Sequence, residues 1–352
     1  MGDNPRFARP PPPMPDPSAH VPLAAATRAG TDESVHYGSV AVVDRHGQLL
    51  YAAGDPQVVV YTRSALKPLQ ALPFVRDGGV ERFDYSDAQV ALLCASHAGE
   101  PRHVDAVAAM LARAGHGPEH LQCGTHAPGF HEARGEAPPP PPYSPLAHNC
   151  SGKHAGMLAA CTLHGWRRDD YLHPAHPLQC AIRSAIADYA GVIAADMPCG
   201  VDGCSAPNYA LPLVALARAF ARLAAGDDDG GRWRAAPRRL RDAMTAHPEM
   251  VSGEGRSDAA LMRAGGGDWV AKIGAEGVQA VGVTGTGLGV ALKVADGSRR
   301  AVGPAIVGVL DQLGLLDAPR REALAGLGRP VLRNHRGVAT GELRPLVELR
   351  RC

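Results

Sequence analysis

The sequence has almost no net charge: 36 Lys and Arg stand against 35 Asp and Glu, a formal balance of +1. Long-range attraction to nucleic acid or to an anionic membrane therefore has no basis, and a small-molecule partner is the default expectation. It also lacks any uninterrupted apolar run long enough to cross a bilayer. No continuous apolar segment of the secretory kind stands at the N-terminus, so a cytoplasmic protein is expected. Met1-Gly2 is followed at position six by Arg6, where N-myristoylation wants Ser or Thr. Nucleotide signatures are missing too. Thr284-Gly285-Thr286-Gly287-Leu288-Gly289 is not a dinucleotide fingerprint, and Gly152-Lys153 runs into His154 without the earlier glycine of a phosphate-binding loop. Nor is there a paired Cys-x-x-Cys signature. The 8 cysteines show no regular spacing and read as reduced thiols, a subset of which could serve as ligands or as a nucleophile.

What is present is an ordinary globular composition, 45% hydrophobic and 20% charged over 352 residues, enough for a large core in one domain or two intimate ones. Residues 1–20 are proline-rich and poor in apolar side chains; they cannot bury enough surface to offset ordering entropy, so a disordered tail is expected before a folded region at 21–352. Ser39–Val43 and Leu49–Tyr51 flank Asp44-Arg45-His46-Gly47 as two strands around a tight turn, and Val58–Tyr61 reads as a third strand. Ser86 with Gln89 three residues on forms a capping box, and Pro101 opens a helix expected to end at Gly115. Pro138–Pro142 predicts a stiff extended connection over the surface, and Asp227–Gly231 a loop. Val278–Val283 and Gly289–Val294 read as paired strands, followed by an apolar helix from Pro304 to Leu315. Strands, a block of helices, strands and a closing helix predict an α+β layering rather than alternating βαβ units.

Three segments could carry chemistry. In Arg63-Ser64-Ala65-Leu66-Lys67-Pro68 a strand gives way to a helix, and three residues of separation put Ser64 and Lys67 on one helical face. Serine needs an activating base, and a lysine serves only if its pKa falls toward neutrality. A drop from about 10.4 to about 7 is roughly 4–5 kcal/mol that the surroundings must supply. The plainer reading is a helix cap beside a solvated lysine, but Ser-x-x-Lys is also the nucleophile motif of β-lactamases and penicillin-binding proteins. Cys94-Ala95-Ser96-His97-Ala98-Gly99-Glu100-Pro101 is either a polar interhelical turn or a second partner, since Lys272 in Val270-Ala271-Lys272-Ile273-Gly274 resembles the strand lysine of that enzyme class. His148–His154 and Asp196–Cys204 are glycine-containing segments ahead of helices. A cysteine from each could grip a soft divalent metal such as zinc, or both could be buried structural thiols.

Together these segments resemble the bacterial asparaginase II family, the thermolabile rhizobial type. The likeness runs through Glu33-Ser34-Val35-His36, Arg63–Pro73, Ala95–Pro101, Leu121–Gly124, Asn149–Met157, His176–Gln179, Val201–Cys204, His247–Val251 and Gly287–Lys293. It implies a serine β-lactamase/glutaminase-like α+β fold with a central antiparallel sheet packed with helices, a homodimer, and hydrolysis of L-asparagine to L-aspartate and ammonia. Residue by residue it implies the catalytic pairs Ser64 with Lys67 and Ser96 with Lys272, substrate contacts from Arg63, His97 and Asp202, and zinc held by Cys150, Lys153 and Cys204 that aids substrate binding. The competing expectations are a glutaminase or other Ser-x-x-Lys amidase, because one methylene discriminates by only about 1–3 kcal/mol, and an inactive zinc-binding scaffold.

Overall fold

The computed structural model describes residues 19–226 and 231–352. The proline-rich tail expected at 1–20 falls outside these apart from its last two residues, as does most of the Asp227–Gly231 loop. Along the chain the strands are β1 (Val21–Arg28), β2 (Thr31–Val43), β3 (Leu49–Ala53), β4 (Val59–Tyr61), β5 (Cys199–Val201), β6 (Pro207–Pro212), β7 (Trp269–Gly274), β8 (Val278–Val283), β9 (Leu288–Val294), β10 (Val331–Arg333), β11 (Ala339–Pro345) and β12 (Arg350–Arg351). The main sheet has the order β10-β11-β1-β2-β9-β8-β7, with β3 branching from β2 and pairing β12. The pairings along it are antiparallel. The strands come from the two ends of the sequence and the helical block from its middle, which gives the α+β layering expected.

β2 is the spine. Its first half alternates in exposure, while Ser39–Val43 is buried throughout, as a strand covered on both faces must be. The helix Leu213–Ala225 packs against β2, β8 and β9, and the helix Val302–Gln312 against β1, β8, β9 and β11. Leu213, Leu216, Phe220 and Leu223 fall at helical spacing and are all buried, forming the apolar stripe that binds the first helix to the sheet. Close approach requires glycine on the strand side: a Cβ at Gly289 would lie 2.0 Å from the Ala217 carbonyl oxygen. Any side chain there would push the helix away.

The hairpin around Asp44–Gly47 is present as β2 and β3, and β8 and β9 flank Thr284–Gly287 as read from the sequence. Ser86 caps the helix Asp87–Leu93 with the reciprocal Gln89 bond, the Pro101 helix ends at Arg113, and Pro138–Pro142 is exposed. Two features go beyond the sequence reading. Val59–Tyr61 does not join the main sheet; it pairs with β6 in a separate sheet of order β4-β6-β5. The closing helix is not the end of the fold, since β10, β11 and β12 return to extend the sheet beyond β1 and β3.

Candidate active site

β4 ends at Tyr61, and within two residues the chain becomes helical. Arg63 makes the corner with φ of 52°, a left-handed conformation that costs a residue with a side chain on the order of 1–3 kcal/mol. Hydrogen bonds hold it there. Thr62 Oγ1 donates to the Tyr209 carbonyl at 2.8 Å, the Arg63 amide to Asn208 Oδ1 at 3.2 Å, and Arg63 Nε to Asp202 Oδ1 at 2.7 Å. Ser64 follows in the 3-10 turn Arg63–Leu66, and the helix Lys67–Arg76 continues with Pro68 in its first turn, where a missing N–H is tolerated. Gly274 at the end of β7 faces this corner. A Cβ there would lie 2.5 Å from the Thr62 carbonyl oxygen, so glycine is what lets the strand and the serine turn meet.

Lys67 sends its side-chain nitrogen inward, with 1% of the residue exposed. Nζ donates to Ser96 Oγ at 2.9 Å and to the Ala95 carbonyl at 2.5 Å. The Ser96 turn is fixed from two sides, its amide donating to the Val251 carbonyl at 2.8 Å and the His97 amide to that of Asn149 at 3.2 Å. Ser64 is partly exposed, and its hydroxyl makes no hydrogen bond among the described residues. The pairing thus differs from the Ser64–Lys67 and Ser96–Lys272 pairs read from the sequence: Lys67 is hydrogen-bonded to Ser96.

Lys272 has other partners. Its Nζ donates to Asp258 Oδ2 at 2.7 Å and to the Ile273 carbonyl at 3.0 Å. The helix Ser257–Gly265 packs on β7 and presents Asp258 in its first turn, and a buried ammonium needs such a counter-charge. Gln279 on the neighbouring strand donates to the other carboxylate oxygen at 3.3 Å. Burial lowers the Lys272 pKa; Asp258 opposes this, while nearby Lys67 and Arg256 lower it further.

Asp202 is joined to Arg63 and also accepts from the Gly203 amide at 2.9 Å. His97 is spent inside the protein. Its Nδ1 accepts from the Gly99 amide at 3.1 Å, so the proton sits on Nε2, which lies 2.9 Å from Ser151 Oγ. The ring stacks on His103 at 4.9 Å, and burial holds its pKa well below the usual histidine value. Neither nitrogen is left for a substrate. His97 ties the Ser96 turn to the helix Ser151–His164.

That helix carries the sulfur cluster. Cys150 is its N-cap and Lys153 lies in its first turn, while Cys204 arrives in the β5–β6 connection. Lys153 Nζ stands 3.1 Å from Cys204 Sγ. The neighbouring Cys150 thiol lowers the Cys204 pKa while its own is raised; burial opposes the first shift, and Lys153 and His154 reinforce it. The set Cys150, Lys153 and Cys204 converges; against the pull of burial, Cys204 and Cys150 also raise the Lys153 pKa, so the amine must give up its proton before these two sulfurs and one nitrogen can hold a soft divalent cation. His154 Nε2, buried beside Cys204, has no hydrogen-bond partner of good geometry. Among the described residues no three His, Cys, Asp or Glu side chains form a metal-binding group, so this set depends on its lysine.

Arg63 and Ile273 each line a cavity. One of about 560 Å³ has Tyr61, Arg63, Asn208 and Glu276 in its wall. Another of about 440 Å³ is lined by Ile273, Arg256, Ser257, Glu132 and Arg299. Asp258, Asn208 and Arg256 were not singled out in the sequence. Asp258 and Arg256 flank Ser257 at the start of a helix, an acidic first-turn residue and a cation being the only local signal, and neither spacing points to β7.

Comparison with curated proteins returns no match. Solved structures with partial likeness include a protein from Bacteroides dorei DSM 17855, 14% identical, covering 78% of this chain and 93% of that one with a TM-score of 0.42. A beta-lactamase from Mycobacterium bovis is 15% identical, covering 78% and 94% with a TM-score of 0.40. Mglu in its native form is 17% identical, covering 80% and 65% with a TM-score of 0.37. The sequence model of the L-asparaginase II family matches residues 24–345, from β1 to the end of β11, and takes in every residue of the cluster described above. The chain belongs to the L-asparaginase II family.

Proposed function

We propose that the protein is an L-asparaginase that hydrolyses L-asparagine to L-aspartate and ammonia through Ser64. The observation that carries this reading is the bond from Lys67 Nζ to Ser96 Oγ, 2.9 Å, one helical turn from a serine whose hydroxyl is uncommitted and partly exposed. Ser64 Oγ attacks the side-chain amide carbon, and Lys67, as the free amine, accepts its proton. Lys67 is already joined to Ser96, so a proton can pass through that hydroxyl to the departing nitrogen, which leaves as ammonia. Water then attacks the acyl ester, gives its proton back along the same route, and releases aspartate and Ser64. The positive end of the helix that begins at Lys67 favours the negative oxygen that develops on the attacked carbon. Lys272, neutralised by Asp258, keeps the floor of the site in place. Cys150, Lys153 and Cys204 would hold zinc, which when bound supplies positive charge for polar groups of the substrate. The homodimer implied by the family likeness belongs to this reading, as does the cytoplasmic setting expected from the sequence.

Ammonia release from L-asparagine and L-glutamine, with Ser64→Ala alongside, tests it. Release from asparagine that disappears in the variant is the expected result; no release from either amide by folded, zinc-supplied protein would sink the assignment. Metal analysis of purified protein tests the cluster separately. About one zinc per chain, lost in Cys204→Ser, is expected, and zinc retained by that variant would exclude Cys204 as a ligand.

A further inference from the structure

Three arginines, Arg256, Arg299 and Arg300, line one cavity of about 440 Å³ without a carboxylate partner. Elsewhere arginines are tied down, Arg63 to Asp202, Arg263 to Glu254, Arg321 to Asp311 and Arg344 to Asp32. Among the described residues the side chains of Arg256 and Arg299 make no hydrogen bond and no ion pair, and that of Arg300 bonds only to a histidine. A cleft lined by charge of one sign focuses its field and draws in counter-ions. None of Ser64, Lys67, Ser96 and Lys272 is in this wall, so whatever binds here is not the amide held for hydrolysis.

Two of the three are held in place. Arg300 Nε donates to His36 Nε2 at 2.9 Å, so the ring keeps its proton on Nδ1, which donates to Asp296 Oδ2 at 2.7 Å. His36 is buried; its neutral ring fixes Arg300 by one nitrogen, leaves both Nη groups uncommitted and keeps the Asp296 charge on its other side. This gives a place to Glu33-Ser34-Val35-His36, a stretch the serine cluster does not use. Arg256 is only partly exposed and packs under Gly129, where a Cβ would stand 3.4 Å from its Nη1. Burial and then Arg299 weigh against its charge, while Asp258, Glu132 and Glu100 favour it without pairing with it. Ser257, in the same wall, has a hydroxyl with no partner. Three arginines stand here against one carboxylate, Glu132. The excess matches a phosphate monoester, which carries about −1.5 to −2 at pH 7 and three acceptor oxygens that guanidinium forks fit; a monocarboxylate would leave part of it unmet. Ile273, Val302 and Leu327 make another part of the wall apolar, and the volume lies within the range of about 300–1,000 Å³ usual for organic ligands rather than a bare ion.

We propose that this cavity is a second binding site, for a small organic phosphate monoester, with Arg256, Arg299 and Arg300 on the phosphate and Ile273, Val302 and Leu327 against the organic group. It stands independently of the asparaginase reading.

Calorimetric titration of the full chain with phenyl phosphate, inorganic phosphate and benzoate tests it, since the second lacks the organic group and the third the double charge. Phenyl phosphate should bind with a Kd about tenfold or more below that of either. Arg300→Gln and Arg256→Gln should each weaken it roughly tenfold to a hundredfold, the range for losing a charged hydrogen-bonded contact. Arg300 is exposed, so its variant should keep the fold, as circular dichroism would check, and it decides the matter if Arg256→Gln does not fold. Ser64→Ala, which leaves the wall intact, should bind phenyl phosphate as the wild type does. No binding up to about 10 mM, binding that Arg300→Gln leaves unchanged, equal affinity for inorganic phosphate or benzoate, or loss of binding in Ser64→Ala would each overturn the proposal.

Discussion

Lys272 and Asp258 meet at 2.7 Å with 0% of either side chain exposed, whereas Arg329, just ahead of β10, and Glu342 on β11 meet at 3.0 Å with 58% and 39% exposed. The chemical groups are of one kind and the distances similar; the surroundings decide what each pair does. In the interior, taking two charges out of water costs several kcal/mol per ion, so the pair survives only with excellent geometry and further hydrogen bonds. Asp258 has them, from Lys272 and from Gln279. At the β10–β11 edge, water screens the attraction and the side chains give up entropy to hold it. The buried pair is therefore weak evidence for a gain in stability and strong evidence for a constraint on where Lys272 sits.

Breaking the buried pair should give the larger stability effect. Asp258→Asn leaves an ammonium without a counter-charge and is expected to destabilise the protein by about 3–5 kcal/mol in denaturant titrations at neutral pH. The sign with pH follows from the lowered Lys272 pKa, caused first by burial. The unfolded chain holds that proton more tightly, so the cost of burying the charge is fully present below the folded-state pKa and is relieved as pH rises through it toward the unfolded value near 10.4. Asp258→Asn removes the group that pulls the Lys272 pKa upward, which widens this window. The deficit of the variant should accordingly shrink between pH 7 and pH 9.5. A deficit that grows with pH would mean that Lys272 is not the group left uncompensated.

The same contrast between local and distant partners explains what could be read from the residues alone. The Ser86–Gln89 capping box, the β2–β3 hairpin and the β8–β9 pair depend on neighbours in sequence, and their patterns were legible. Ser64, Lys67, Ser96 and Lys272 were legible as candidates because each sits in a short motif. Who bonds to whom was not. The Lys67–Ser96 bond joins residues 29 apart, and Arg63 reaches Asn208 across 145, distances over which periodicity and spacing carry no information. β4 has three residues, of which only Val60 is buried, so nothing in it distinguishes the small sheet from the main one. The return of β10 to β12 was hidden for a similar reason: β10 is three residues long and β12 two, and their register is set by partners that precede them by hundreds of residues or by the β10–β11 turn.

The exposed pair should give the smallest effect, and its smallness tests the comparison as sharply as the buried pair does. Glu342→Gln removes the ion pair with Arg329 but leaves the backbone pairing of Val331 with Glu342 in the β10–β11 ladder. The Glu342 amide also continues to donate to Thr27 Oγ1, and its carbonyl to accept from that hydroxyl, which keeps β11 registered on β1. The loss should therefore be confined to the screened charge interaction, roughly 0.2–1 kcal/mol, and should fade further in about 1 M salt, where the Debye length is near 3 Å. Activity on the amide substrate should not change, because β10 and β11 lie at the end of the sheet opposite β7, which carries Lys272. A loss of 3 kcal/mol or more that persists in high salt would show that the edge pair is held under the same constraint as Lys272 and Asp258, and the distinction between the two regions would fail.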